Sequence, residues 1–124
     1  MDASGLLIEK RHADMMTYAR GALDQMPKRE RVLADMIRTH MYAAWDLIGQ
    51  QQWERDRRAT LTNLDEELRR LKRLVRLAVN QKIISIKAYE IWTAKLVEEG
   101  KMVGGMAQKA AAAYERRQKD TQSK

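Results

Sequence analysis

The chain contains no cysteine. A disulfide framework, thiolate-held zinc, iron–sulfur clusters and thiol catalysis are therefore all excluded. Phenylalanine is absent, and the 124 residues include only 1 proline and 6 glycines. So few turn-formers leave little room for the many reversals of a β-sandwich or barrel. No apolar run approaches the ~20 residues needed to cross a bilayer as a helix. The start, Met1-Asp2-Ala3-Ser4-Gly5, has neither the basic nor the apolar stretch of a secretory signal. A cytoplasmic location is expected.

Charge is abundant and unevenly placed. Charged residues make up 33% of the chain and apolar residues 44%, a balance that suits a folded helical domain with a charged skin rather than a disordered tail. The net charge is +7. Residues 1–59 contribute +1 of it and residues 60–124 contribute +6. A positive field concentrated in one half points to a polyanionic partner, of which nucleic acid is the commonest.

Apolar residues recur at helical spacing and predict an all-α, antiparallel up-down-up-down four-helix bundle over residues 1–109. The helices are expected at about 5–25, 28–52, 57–82 and 85–109, and residues 110–124 form a polar, flexible tail. In the first segment Ile8, His12, Met15, Ala19, Ala22 and Met26 share a face, with Ser4 as a candidate cap. Pro27 suits the first position of the second helix, where its missing amide leaves nothing unpaired. The stripe there is Leu33, Met36, Ile37, His40, Ala44, Leu47 and Ile48, with Met41 and Trp45 as a second patch. The third segment has the firmest pattern: Leu61, Leu64, Leu68, Leu71, Val75 and Ala78 follow a heptad step. Its start lies either near Arg57 or at Thr62, where Thr-Asn-Leu-Asp resembles a capping box. Ser85 is a candidate N-cap for the fourth segment, with Ile84 and Tyr89 as a hydrophobic staple, before Trp92, Leu96, Gly100, Val103 and Ala107.

Three stretches carry a family resemblance: the run Leu68–Ala78 with its five Arg and Lys residues, the Ile84-Ser85 and Tyr89-Glu90 pairs, and Glu99-Gly100-Lys101-Met102-Val103-Gly104-Gly105. Together with Pro27-Lys28-Arg29-Glu30-Arg31-Val32, they are similar to the accessory variability determinant (Avd) of diversity-generating retroelements. The wider four-helix-bundle family includes proteins encoded in 23S rRNA intervening sequences. The resemblance covers about residues 25–107. This chain departs from the family pattern at Ala88, where Gln is usual, at Arg29 and Val32, which replace Ser and Phe, and at Met106, where Trp is frequent. The resemblance implies a basic bundle assembling as a pentameric barrel. It also implies binding to a reverse transcriptase and its structured template RNA, in support of mutagenic copying. The alternatives are an intervening-sequence type of bundle with an unknown partner, and a basic bundle lying on anionic membrane. The buried heptad seam argues against the membrane.

From the residues themselves, Arg69, Lys72, Arg73 and Arg76 fall on one side of the third helix, with Arg70 further round. Such a stripe can follow a phosphate backbone, and Arg adds planar bidentate contacts. The competing reading is a solvated helix face. Within Arg69–Arg76 no acid is available for internal pairing, and Asp65, Glu66 and Glu67 are expected at the helix start, where its dipole favours them. Lys28, Arg29 and Arg31, and Arg55, Arg57 and Arg58, flank the first two connections and are secondary candidates for RNA or polymerase contact. Trp45, Leu74, Leu77, Ile91 and Met102 lie beside the principal stripes and are candidates for contact between copies. Gly100, Gly104 and Gly105 either admit a close helix or end the helix. His12 and His40 are expected as satisfied core or boundary residues. Neither belongs to a Glu-x-x-His pair, so no metal site is expected. No phosphate-cradling loop, triad or carboxylate pair stands out. The expectation is a protein without catalysis, cofactor or small-molecule substrate.

Overall fold

The computed structural model describes residues 3–122. Met1 and Asp2 of the expected bundle segment, and Ser123 and Lys124 of the expected tail, lie outside the described residues. Within them the chain is all-α and has no strand: α1 (Ala3–Asp24), a 3-10 turn (Lys28–Glu30), α2 (Arg31–Gln51), α3 (Arg58–Asn80) and α4 (Ile86–Gln122). α1 packs on α2 and α4, and α3 packs on α2 and α4, while the two diagonal pairs stay apart. The apolar stripes of all four helices meet in one core.

α3 organises that core. Leu61, Leu64, Leu68, Leu71, Val75 and Ala78 are all buried, as the heptad step predicts. On α2 the stripe is rotated from its expected position. Ala34, Ile37, Met41, Ala44 and Ile48 are buried, Leu33 and Leu47 are half-buried, and Met36 is 45% exposed. The small alanines let the neighbouring helices approach on that side, which turns the bulkier Met36 outward. On α4 the stripe is Trp92, Leu96, Glu99, Val103, Met106 and Ala110.

Helix ends follow local chemistry. Pro27 has φ −58° and ψ 144°, so it precedes the 3-10 turn instead of opening α2, and its carbonyl accepts the Glu30 amide at 2.8 Å. Ser4 lies within the described span of α1. The Ser85 hydroxyl accepts the Ala88 amide at 3.0 Å, the N-cap contact that its position predicts. α3 starts at Arg58, and the Thr62 hydroxyl donates back to the Arg58 carbonyl, so no capping box forms there. Asp56 serves that end instead. It accepts the Arg58 amide at 3.2 Å and the Arg58 guanidinium through both oxygens at 2.9 Å.

The α3–α4 turn is a Schellman motif. The Lys82 amide donates to the Val79 carbonyl at 3.0 Å and the Ile83 amide to the Ala78 carbonyl at 2.8 Å. The residue that must turn left-handed is Lys82, at φ 59°, where glycine is usual. α4 then runs for 37 residues, through the segment expected as a tail. Ala110 is buried, and the Arg58 guanidinium carbon lies 3.3 Å from the centroid of the Tyr114 ring.

The polar centre of the core joins three helices. His12 and Glu99 are both buried, and His12 Nδ1 lies 2.6 Å from Glu99 Oε1. His12 Nε2 lies 2.9 Å from the Met41 carbonyl. A carbonyl can only accept, so Nε2 carries a hydrogen. One further proton must then sit between Nδ1 and Oε1, and the pair is neutral overall whichever atom holds it. The contact ties α1 to α2 and α4 without placing net charge in the interior.

Three outcomes are expected. Lys82→Gly relieves the left-handed strain and raises stability by about 1 kcal/mol, read as an upward shift of the thermal midpoint. Glu99→Gln keeps a donor for His12 and stays near wild-type stability, whereas Glu99→Ala costs about 3 kcal/mol in denaturant titration. Hydrogen bonding from Arg58 lowers the Asp56 pKa to about 2. The stabilisation it brings is complete above the ordinary carboxylate value of about 3.9 and is lost as pH falls through about 2. An NMR titration of Arg58→Ala should return the Asp56 midpoint toward about 3.9.

Candidate nucleic-acid interface

With its leucine seam turned inward, α3 must present its remaining faces to the grooves on either side. Arg69 and Arg70 are both exposed but committed. Arg69 Nε donates to Asp65 at 2.8 Å, one turn back. Arg70 donates to Glu67 at 2.9 Å and lies 3.8 Å from Glu66. The acids expected in the first turn of the helix lie two turns in, because α3 begins at Arg58. There they act as i, i+3 and i, i+4 partners rather than as dipole caps. The pairs are solvent-exposed and contribute little to stability.

Lys72, Arg73 and Arg76 differ from these two. Among the described residues none of the three has a carboxylate within 4.0 Å. With Arg69, Tyr89 and Thr93 they line a groove of about 300 Å³ between α3 and α4. The hydroxyl of Thr93 is buried without a partner among the described residues. Four cations beside a phenol ring form a surface suited to an anionic polymer.

A second, larger groove of about 510 Å³ lies on the other side of α3, against α2. Arg70, Arg73 and Arg76 line it, together with His40, Asn80 and the aliphatic Met36, Leu74 and Leu77. His40 Nδ1 lies 2.5 Å from Glu67 Oε2, so Glu67 joins α2 to α3 and holds Arg70 at the same time. The sequence identifies His40 as a boundary residue but gives no sign of Glu67 as its partner.

The secondary basic residues do not join these grooves. Lys28 and Arg31 line a separate depression at the α1–α2 turn that also contains Asp24 and Asp35, and Arg29 faces Glu30 at 3.7 Å. At the α2–α3 connection Arg55 is exposed, Arg57 donates to the buried Gln51 at 2.9 Å, and Arg58 is held by Asp56 and Tyr114. Of the apolar candidates, Leu74 and Met102 pack against the chain's own core, and Ile91 is half-buried. Trp45 stacks on His12 with ring centroids 6.4 Å apart, and Leu77 is 46% exposed. Large apolar side chains that the sequence does not single out as exposed include Leu6, Leu7, Trp53, Ile86 and Val97. A methyl group added at Gly100, Gly104 or Gly105 would meet nothing within 4 Å, and α4 continues past all three. Within the chain these glycines neither admit a close helix nor end one.

No helix among the described residues is long and apolar enough to cross a membrane. No curated protein matches the chain. The sequence profile described as bAvd-like matches residues 6–110, which contain α2, α3, the turn at Lys82 and the run from Glu99 to Gly105. The Arg-rich α3, the Ser85 cap and the buried Glu99 therefore sit inside a recognised Avd-type pattern, and the chain belongs to the bAvd-like family.

Proposed function

We propose that this protein is a non-catalytic accessory factor of a diversity-generating retroelement that binds the reverse transcriptase and its template RNA in the cytoplasm. The observation that carries the proposal is the set Lys72, Arg73 and Arg76, uncommitted to any carboxylate among the described residues and ranged along one helix beside Tyr89. Family membership supplies the context. The cations of such a stripe displace condensed counterions from the RNA phosphates, which gives affinity with little dependence on sequence.

The working unit is an antiparallel bundle assembled into a homo-oligomer, a pentamer by family resemblance. Cross-helix pairs support the antiparallel order. His12 meets Glu99 and Tyr18 reaches Ala88, while His40 meets Glu67 and Gln50 reaches Thr60, so numbers rise on one helix as they fall on its neighbour. Self-association is supported by Trp53 and Ile86, which are 81% and 70% exposed, and by the uncovered glycines of α4. A ring of copies multiplies the attraction for RNA without any new contact.

Replacing Lys72, Arg73 and Arg76 together by Ala should leave the circular dichroism spectrum and oligomer size unchanged. RNA affinity should fall at least about tenfold, and the slope of log K against log salt should lose about two units. Arg69→Ala alone should do less, because Asp65 already neutralises part of that charge. An unchanged affinity in the triple variant would overturn the assignment of RNA to α3.

A further inference from the structure

The two flanks of α3 differ chemically. Arg69 and Lys72 line only the α4 side, where Tyr89 supplies a ring. On the α2 side the lining includes no tyrosine or tryptophan, and the floor is Met36, Leu74 and Leu77. Arg73 and Arg76 stand on the crest between the two grooves. Unpaired bases are held by stacking on aromatic rings. The imidazole in this lining, His40, is held by Glu67, and the apolar remainder is aliphatic, which makes a poorer nucleotide site than the Tyr89 side. Aliphatic side chains from another protein fill it well, and a flexible methionine lets such a surface adapt.

The shape is equally particular. On α3 the lining runs Arg70, Leu74, Leu77 and Asn80, the i, i+4, i+7 step of one helix face. On α2 it is Met36 and His40, one turn apart. Residues 70–80 span about 15 Å, close to three turns of an incoming helix. Among the described residues the acids in ion-pair range of this lining are Glu67, already occupied by His40 and Arg70, and Glu66, which Arg70 also faces. Arg73 and Arg76 are left to meet carboxylates from outside.

We propose that the α2–α3 groove is a docking site for an acidic amphipathic helix of a protein partner, with apolar side chains on Met36, Leu74 and Leu77 and carboxylates on Arg73 and Arg76. Helix-in-groove recognition uses this arrangement of anchors. A second copy of the chain is a poorer occupant, because each copy carries a net charge of +7 and several of its exposed apolar residues come with cations, although Tyr42, Trp45 and Trp53 have Asp46 or Glu54 close by. Leu6 and Leu7 are followed one turn on by Lys10 and Arg11, Val97 by Lys101, and Ile86 is adjacent to Lys87. These would meet the guanidinium groups of the groove. The inference rests on the accessory reading above, in which the protein partner is the polymerase.

The test uses the whole 124-residue chain and the reverse transcriptase of the diversity-generating retroelement to which the accessory reading assigns it. Met36→Ser with Leu77→Ser alters two side chains that are each nearly half exposed, so the fold should be kept. Leu77→Glu, as a second variant, offers Arg73 an acid one turn away and closes the groove from within. Both are expected to weaken polymerase binding by at least about tenfold. RNA affinity should stay within about twofold of wild type in the double serine variant and fall by less than polymerase binding in Leu77→Glu, where the new acid also competes for Arg73. Arg69→Ala with Lys72→Ala should give the opposite result. Polymerase binding unchanged in both groove variants would overturn the proposal. So would a change of oligomeric state in sedimentation, which would assign the groove to a second copy, or an equal loss of RNA affinity, which would assign it to RNA. If the wild-type chain binds RNA but no polymerase, the accessory reading itself fails, and this inference fails with it.

Discussion

Burial of one seam on α3 constrains the rest of the molecule. Leu61, Leu64, Leu68, Leu71, Val75 and Ala78 lie between α2 and α4, and that burial fixes the rotation of α3 about its own axis. Once the rotation is set, the arginines and lysine between the leucines have only two places to go, the groove against α4 and the groove against α2. The charged surface thus follows from the core without any separate device to hold it. Changing the rotation by one residue, about 100°, would bury Arg69 and Arg76 and expose the leucines, a cost of many kcal/mol. The positions of the cations are therefore as secure as the hydrophobic core.

The core itself is not purely apolar. His12 and Glu99 place a hydrogen-bonded pair where three helices meet, and the Met41 carbonyl accepts from the other ring nitrogen, while Glu99 Oε2 is buried without a partner among the described residues. An apolar pair of similar volume would pack as well, but it would not demand a particular facing of α1, α2 and α4. A proton held between two buried atoms does demand it, because removing either partner leaves an orphaned polar group. Glu99 opens the run Glu99–Gly105, and the structure gives that motif's acid a physical role.

Much of this was legible in the sequence, and the exceptions have causes. The α3 seam was fully legible because leucine repeated at heptad spacing marks a buried helix face and little else. The α2 stripe was misplaced because Ala34 and Ala44 carry little hydrophobic signal while Met36 carries much, yet small side chains are what let helices come close. Glu99 was hidden by its charge. The signal that would have found it is the sequence 92, 96, 99, 103, 106, 110, an unbroken core step with an acid in one place and a lone histidine on the apolar face of α1 to receive it. Lys82 gave no sign of a left-handed turn because the usual glycine is missing. Asp65, Glu66 and Glu67 suit a dipole role only if the helix starts at Thr62; with the other expected start, near Arg57, they lie two turns in, where they pair with Arg69 and Arg70. The grooves on either side of α3 were not legible at all, since they depend on which residues of other helices face it.

The length of α4 has a consequence for how the molecule melts. Residues 115–122 follow Tyr114 and are exposed apart from Arg117, so little tertiary packing holds them. They stay helical because the turns before them are already formed, and the four alanines at 110–113 propagate the helix with little entropy loss. Heating should therefore unwind this end gradually from its tip, before the cooperative loss of the core around Trp92. Far-ultraviolet ellipticity and tryptophan emission would then report different transitions, and the Arg58–Tyr114 contact would mark the boundary between the fraying end and the interior.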